Sequence, residues 1–378
     1  MTIRPEIPLA LRIVIKLGTR VLTHDDGRLA LARLFRVVEA AAALRRQGKE
    51  VLLVSSGAVG LGVEALGLES TPSDIVERQA CAAVGQTRLM DLYQQGFSRL
   101  GLVCGQVLLT QSDFADRDHY INLRSTLNAL LRHGVVPIIN ENDAVSTEEL
   151  DMLEGGTRPI FGDNDKLSAL VAVKLDADLL VLLTDVDGVF DKNPRKYSNA
   201  KLLSRIDDNQ DADIQTSGTG STVSRGGMLS KIEAAWIAAR SGCHAIIASG
   251  RSPTALSEVL AGHQIGTLFP AAQHGLTSRR RWIAFATAPR GELHLDAGAV
   301  HALRDRGASL LAIGVNRVEG SFEGGEVVEL VGPDGKSIGR GMTHCNSDLA
   351  RAWVEEGAAP AGTRNHHALV HRSNLVLN

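Results

Sequence analysis

Apolar positions along the first 270 residues recur at two periods, and the two alternate. Arg12–Lys16 (RIVIK) is a β-branched apolar run between polar ends, which predicts a buried strand. After Gly27 the apolar residues fall at Leu31, Leu34, Phe35, Val38 and Ala42, a helical spacing, and Gly48 stands where a C-terminal cap would. Val51–Val54 predicts the next strand, followed by a glycine-rich turn. Further apolar runs lie at Val103–Leu109, Val135–Ile139, Asp178–Leu183 and His244–Ala248, each beside a helical stretch. Strands alternating with helices predict an α/β fold, a mainly parallel sheet sandwiched by helices. In such sheets ligands bind beyond the carboxyl ends of the strands, so the residues just after each run are where chemistry is expected.

The pattern changes near residue 270. After Gly266-Thr267-Leu268-Phe269-Pro270 comes a polar stretch and then Arg279-Arg280-Arg281. From Trp282 onward the apolar runs are short and broken by turns (WIAFA, LLAIGV, GEVVELV, GPDGKSIGRG), with one or two helical patterns among them. This reads as a small, mostly β C-terminal domain, with boundaries expected at 1–270 and 278–378.

Composition narrows the function classes. A chain of 378 residues with 44% apolar and 22% charged residues can bury a substantial core and shows no sign of wholesale disorder. The net charge of −3 does not call for a polyanionic partner. Residues 271–378 hold 12 Lys+Arg against 11 Asp+Glu, a balance of +1, where a dedicated nucleic-acid binder shows a stronger basic excess. The four cysteines, Cys81, Cys104, Cys243 and Cys345, are far apart with no C-x-x-C pair. That excludes a disulfide scaffold and a thiolate zinc site. No apolar run approaches the roughly 18 residues of a membrane span, and Arg12 interrupts the first one. A soluble, cytoplasmic enzyme without a membrane partner is the expectation.

Five strand-end regions are unusually polar and glycine-rich. Lys16-Leu17-Gly18-Thr19 can aim an ammonium and backbone N–H groups at one anion. Ser55-Ser56-Gly57-Ala58-Val59-Gly60-Leu61-Gly62 permits close backbone approach, to a ligand or simply within a tight strand–helix turn. Its spacing is not the dinucleotide G-x-G-x-x-G, so a nicotinamide site is not supported. Asn140-Glu141-Asn142-Asp143 follows a buried run with four carboxylates and amides, suited to an α-amino group or a metal unless it is a solvated turn. In Gly162-Asp163-Asn164-Asp165-Lys166-Leu167-Ser168, helix capping accounts for one acidic residue but not all three polar ones. The last region pairs Leu183-Thr184-Asp185-Val186-Asp187-Gly188 with Gly226-Gly227-Met228-Leu229-Ser230-Lys231, where glycines opening a helix with a lysine soon after suit a polyphosphate.

Two apparent signals carry nothing. Gly335-Lys336-Ser337 resembles the end of a Walker loop, but Gly332 is at the wrong spacing and the context is a turn between β runs. Seven of the twelve histidines lie after residue 270, among them His366, His367 and His371, without a metal-type pattern. Met228 and Trp236 read as packing residues.

In order and spacing these segments resemble the glutamate-phosphorylating kinases of bacteria, within the amino-acid kinase family. The resemblance spans nearly the whole chain: K-x-G-T, V-S-S-G-A-V, Asp116-Arg117 through Asn140-Glu141-Asn142-Asp143-Ala144-Val145, G-D-N-D, L-L-T-D-x-D-G and G-G-M-x-x-K. The stretch from Arg281-Trp282 to Asn346-Ser347-Asp348 resembles a PUA domain. The resemblance implies the amino-acid kinase fold and the reaction ATP + L-glutamate → L-glutamyl 5-phosphate + ADP with Mg²⁺, the first step of proline synthesis. It places Lys16 on the ATP phosphates, Ser56, Asp143 and Asn164 on glutamate, and Asp165 as organiser of the catalytic lysines. Thr184, Asp185 and the run Arg225, Gly226, Gly227, Met228, Leu229, Ser230, Lys231 fall on the nucleotide side, with Lys231 as the second lysine; no metal ligand is assigned. It further implies a homo-oligomer, and weak RNA binding is the partner expectation for the PUA-like domain. The family commonly has threonine where this chain has Arg225 and Ser230, and the tail after Asp348 is shorter than usual.

A carboxylate acceptor, with pKa ≈ 4.3, is already anionic at pH 7 and needs no general base. The lack of a Ser–His–Asp or Cys–His constellation therefore fits this chemistry. Position and neutralisation of charge are what the reaction requires.

Overall fold

A computed structural model describes residues 3–24, 28–110, 112–115, 117–145, 164–194, 196–207, 222–272, 280, 283–284, 289–357 and 368–377; the side chains of 112, 115, 117 and 222–226 lie outside that description. The described residues form two compact units, one built mainly from the chain up to residue 275 and the other from residue 276 onward. Among them no helix is long and apolar enough to cross a membrane.

In the first unit the apolar runs become β1 (Arg12–Leu17), β2 (Glu50–Ser55), β3 (Cys104–Leu109), β4 (Val136–Glu141), β5 (Leu179–Thr184) and β6 (His244–Ser249), with β7 (Thr267–Phe269) at one edge. Their order is β3-β4-β2-β1-β5-β6-β7. All pairs are parallel except β6 with β7. RIVIKL in β1 and LLVLLT in β5 are buried almost throughout, as continuous apolar strands in a sheet covered on both faces must be. Because β1 sits between β2 and β5, the ends of these three strands lie side by side, and with them Lys16, Ser55 and Thr184.

Two strands run further than the apolar pattern predicts. β4 continues through Asn140 and Glu141 because Leu108 and Leu109 of β3 remain as ladder partners, and β5 includes Thr184, paired with Ser249. Backbone pairing, not side-chain polarity, ends these strands.

The glycine run after β2 serves packing as much as binding. Gly57 is left-handed (φ 102°) and caps helix α1 (Ala58–Ala65). A Cβ on Gly62 would lie 1.8 Å from the Cys81 carbonyl oxygen, and one on Gly85 would lie 1.8 Å from that of Ala58. Helix α2 (Ile75–Arg99), whose N-cap Asp74 accepts from the Glu77 N–H at 3.0 Å, thus meets α1 backbone to backbone. That contact sets Gln86, the next residue along α2, beside the turn after β2.

Helix α3 (Asn164–Lys174) begins at the ends of the strands and finishes in the core. Lys174 is fully buried, its Nζ 3.2 Å from the Tyr120 ring centroid. Burial lowers its pKa to about 6, with Arg124 acting in the same direction and Asp113 opposing. The unfolded chain holds this proton up to about pH 10.4. Between the two values the unfolded state binds more protons, so stability rises with pH across that window, and the full penalty applies below pH 6. Lys174→Met is expected to raise the unfolding midpoint at pH 6 and leave it little changed near pH 10. Urea titrations at several pH values check this; equal pH slopes in both proteins would refute it.

The second unit is a six-stranded, largely antiparallel sheet: β8 (Gly291–Leu295), β9 (Leu310–Leu311), β10 (Val315–Gly320), β11 (Val327–Val331), β12 (Ser337–Thr343) and β13 (Ala368–Leu377), in the order β10-β8-β11-β12-β13-β9. Leu293, Leu303, Val328, Leu330, Leu369 and Trp353 share its core. Two helices cover it, Ala297–Arg306 and Ser347–Glu356, capped by Asp296 and Asn346. The turn from β11 to β12 closes through the Gly332 N–H on the Lys336 carbonyl at 2.8 Å, so Gly335-Lys336-Ser337 is a hairpin connection and not a phosphate loop.

Candidate active site

Lys16 comes from the end of β1 and is 4% exposed; Asp165 sits in the first turn of α3 and is 1% exposed. Lys231 comes from helix α4 (Thr222–Arg240). The Lys16 Nζ lies 2.6 Å from Asp165 Oδ1, and the Lys231 Nζ lies 2.8 Å from Asp165 Oδ2. One carboxylate thus holds two ammonium groups from positions 215 residues apart in sequence, which is 231 minus 16. Ser230 Oγ donates to Asp165 Oδ2 at 3.0 Å, and Lys231 also donates to the Gly227 carbonyl at 2.9 Å.

Burial pushes the Asp165 pKa up, but the charges of Lys16 and Lys231 and their hydrogen bonds outweigh it and hold the group below the ordinary aspartate value. Asp165 is therefore ionised, and the three charges sum to +1. A partly buried net positive charge at the carboxyl end of a parallel sheet attracts a multiply charged anion.

Beside this triad runs a line of amides. Asn164 Nδ2 lies 2.9 Å from Ser56 Oγ, 2.9 Å from Asn140 Oδ1 and 3.2 Å from the Ser55 carbonyl. Asn140 Nδ2 donates to Gln86 Oε1 at 2.9 Å. Asn164 Oδ1 is buried and has no hydrogen-bond partner among the described residues. Asp143, two residues past β4, is half-buried; burial raises its pKa and the Arg78 charge partly opposes this.

The remaining candidates lie across β5. Thr184 Oγ1 donates to Asp185 Oδ1 at 3.3 Å, and Arg20 approaches Asp185 Oδ2 at 3.3 Å. Burial raises the Asp185 pKa, but hydrogen bonds from its own backbone, Arg20 and Thr184 bring it below the ordinary value. Gly226 and Gly227 lie inside α4 and do not open it, because the helix starts at Thr222. Gly227 has open space where a Cβ would be, Met228 is half-buried and Leu229 is exposed. The side chain of Arg225 and the environment of Gly226 lie outside the described residues, as do Gly162 and Asp163 of G-D-N-D. Trp236 packs edge-to-face on Phe269 at 5.1 Å, a core contact.

Gln86, Tyr93 and Arg20 join this region without a sequence motif. Tyr93 OH is 2.8 Å from Ser55 Oγ, and burial raises its pKa. The available signal was a polar residue in an apolar stripe: Ala82, Gln86, Leu89, Tyr93 and Phe97 follow the helical period and are all buried.

Metal-type donors converge elsewhere. Glu292, His294 and Glu319 of the second unit bring ligand atoms within 4.8 Å of one another. Arg317 lies 2.7 Å from Glu319 and 3.4 Å from the His294 Nε2, so a guanidinium already supplies the positive charge there. Around the triad, Asp165 and Asp185 have both oxygens engaged by cations or hydroxyls.

Two lysines on one aspartate at the carboxyl end of a parallel sheet, with no nucleophile or base constellation beside them among the described residues, define a phosphoryl-transfer enzyme of the kind that positions anions. The chain belongs to the amino acid kinase family, whose pattern matches residues 11–249. A PUA domain pattern matches residues 291–358. Among curated relatives, the glutamate 5-kinase of Moorella thermoacetica is 44% identical over 373 residues, covering 97% of this chain and 96% of that protein. That of Trichlorobacter lovleyi is 43% identical over 371 residues, 97% and 96%. That of Pseudomonas putida is 44% identical over 380 residues, 99% and 100%.

Proposed function

We infer that this chain transfers the γ-phosphoryl group of ATP to the side-chain carboxylate of L-glutamate, giving L-glutamyl 5-phosphate and ADP, the entry step of proline synthesis. The observation that carries this reading is the meeting of Lys16 and Lys231 on Asp165. Full-length relatives named for the same reaction support the choice of acceptor.

In this reading a glutamate carboxylate oxygen attacks the γ-phosphorus in line, the bond from phosphorus to the β,γ-bridging oxygen breaks, and ADP leaves with that electron pair. No proton need move. Negative charge spreads over the equatorial oxygens, where Lys16 and Lys231 neutralise it; Asp165 keeps both ammonium groups in place and charged. Mg²⁺, when bound with the nucleotide, would supply further neutralisation of phosphate charge; among the described residues near the triad Asp165 and Asp185 are already engaged by cations or hydroxyls, so no ligand for it is assigned. Thr184, Asp185 and the segment from Arg225 to Lys231 are assigned to the nucleotide. Ser56, Asp143 and Asn164 are assigned to glutamate, with the Asp143 carboxylate and the unpaired Asn164 oxygen receiving its ammonium group. In the same reading residues 1–270 are the kinase domain and 278–378 an accessory domain with weak RNA affinity, and the protein is a homo-oligomer.

A hydroxylamine trap with ATP and Mg²⁺ tests the reaction, because acyl phosphates form hydroxamates and phosphate esters do not. Glutamate is expected to give the hydroxamate; a hydroxamate only with aspartate or an acetylated glutamate, or ADP release without hydroxamate on a nucleoside monophosphate, would replace this assignment.

Asp143→Ala is expected to raise KM for glutamate with little change in kcat, because its assigned partner is far from the transferring group. A collapse of kcat at steady KM would reassign it. In the unmodified enzyme KM for glutamate should climb as pH falls through a value above the usual aspartate range, since burial keeps Asp143 protonated to higher pH and a neutral carboxyl loses the ammonium.

A further inference from the structure

The amide line beside the triad has a direction, and the backbone sets it. The Ser55 carbonyl can only accept a hydrogen bond, so the Asn164 atom 3.2 Å from it is the amide nitrogen. Asn140 must then turn its oxygen to Asn164, which leaves its nitrogen pointing at Gln86, and Gln86 must present Oε1. Reversing any one amide places like atoms face to face. With its nitrogen committed, Asn164 is left with a buried oxygen that has no hydrogen-bond partner among the described residues.

We propose that Gln86 is a positioning residue of the glutamate site: by accepting from Asn140 it backs, from the far end of the amide line, the orientation that the Ser55 carbonyl imposes, so that Asn164 keeps an oxygen, not an NH₂, toward the amino acid. This rests on the assignment of Ser56 and Asn164 to glutamate. An acceptor at that point selects an ammonium donor. Were the line reversed, Asn164 would meet the same ammonium with its own N–H groups. Gln86 reaches Asn164 through Asn140, so the role proposed for it is exerted through intervening amides. Its placement is secured by its neighbour Gly85, whose closeness to Ala58 leaves α2 no room to shift.

Steady-state kinetics on the full chain test this with three variants. Gln86→Met and Gln86→Leu keep the approximate size and remove the acceptor, and either one suffices if the other does not fold. KM for glutamate is expected to rise by about tenfold or more, with kcat and KM for ATP within about twofold. Gln86→Glu retains an acceptor oxygen toward Asn140 in either protonation state and should stay within about threefold of the unmodified enzyme. An unchanged KM for glutamate in the folded Met or Leu variant overturns the proposal. So does a parallel loss in kcat and both KM values, which marks a merely structural role, or a Glu variant as impaired as the Met variant. If the unmodified enzyme makes no hydroxamate from glutamate, the assigned reaction fails, which is a separate result from any of these.

Discussion

Lys231→Ala is expected to lower kcat by about 10²–10³, the range for removing one preorganised stabiliser of transition-state charge. Its ammonium sits on Asp165 with a side chain only 14% exposed, so the charge acts in surroundings where water screens it weakly. KM for ATP should move much less, because Lys16 and the backbone beyond β1 remain. Single-turnover rates with saturating ATP and glutamate give the comparison. A loss below tenfold, with KM for ATP raised, would make Lys231 a nucleotide contact and leave the chemistry to Lys16.

Asp165→Asn is expected to have the second large effect, on both stability and rate. The amide keeps the shape but takes away the only negative charge in the triad, so two ammonium groups are left facing a neutral group inside the protein. Breaking a buried pair in this way costs about 3–5 kcal/mol. The lysines then repel each other, and one sheds its proton or moves aside. Displacement by about 1 Å at such a site costs about 10²-fold in rate. Urea unfolding and kcat measured on the same preparation decide the matter: an unchanged midpoint with kcat within tenfold would mean that Asp165 does not organise the lysines.

Parallel strands came through from the apolar runs alone, since RIVIK and LLVLL are apolar on both faces and only a sheet covered on both sides buries such segments. The small β domain was legible for a related reason: its runs are short and turn-punctuated, as hairpins require. What the runs could not show was where a strand stops. Polar Asn140 and Glu141 stay in β4 because Leu108 and Leu109 offer them backbone partners. The glycines of the turn after β2 looked like room for a ligand; Gly62 is instead the crossing point with α2, a role that depends on Cys81, 19 residues away, and no local pattern announces it. The helix before Lys231 starts four residues earlier than its glycine pair implies, which moves that pair away from the helix N-terminus.

Local order along the chain therefore settled the layers of the fold, the ends of the sheet where polar groups collect, and the residue types there, because periodicity and turn chemistry are properties of neighbours in sequence. Folding alone decided which of those groups touch. Lys16, Asp165 and Lys231 form one charge cluster only because β1 lies beside β5 and both α3 and α4 return to the carboxyl ends of these strands, and Gln86 enters the amide line only because two helices close to backbone contact. Such juxtapositions are set by long-range packing, and a distance between residues far apart in sequence leaves no trace in either one's local pattern.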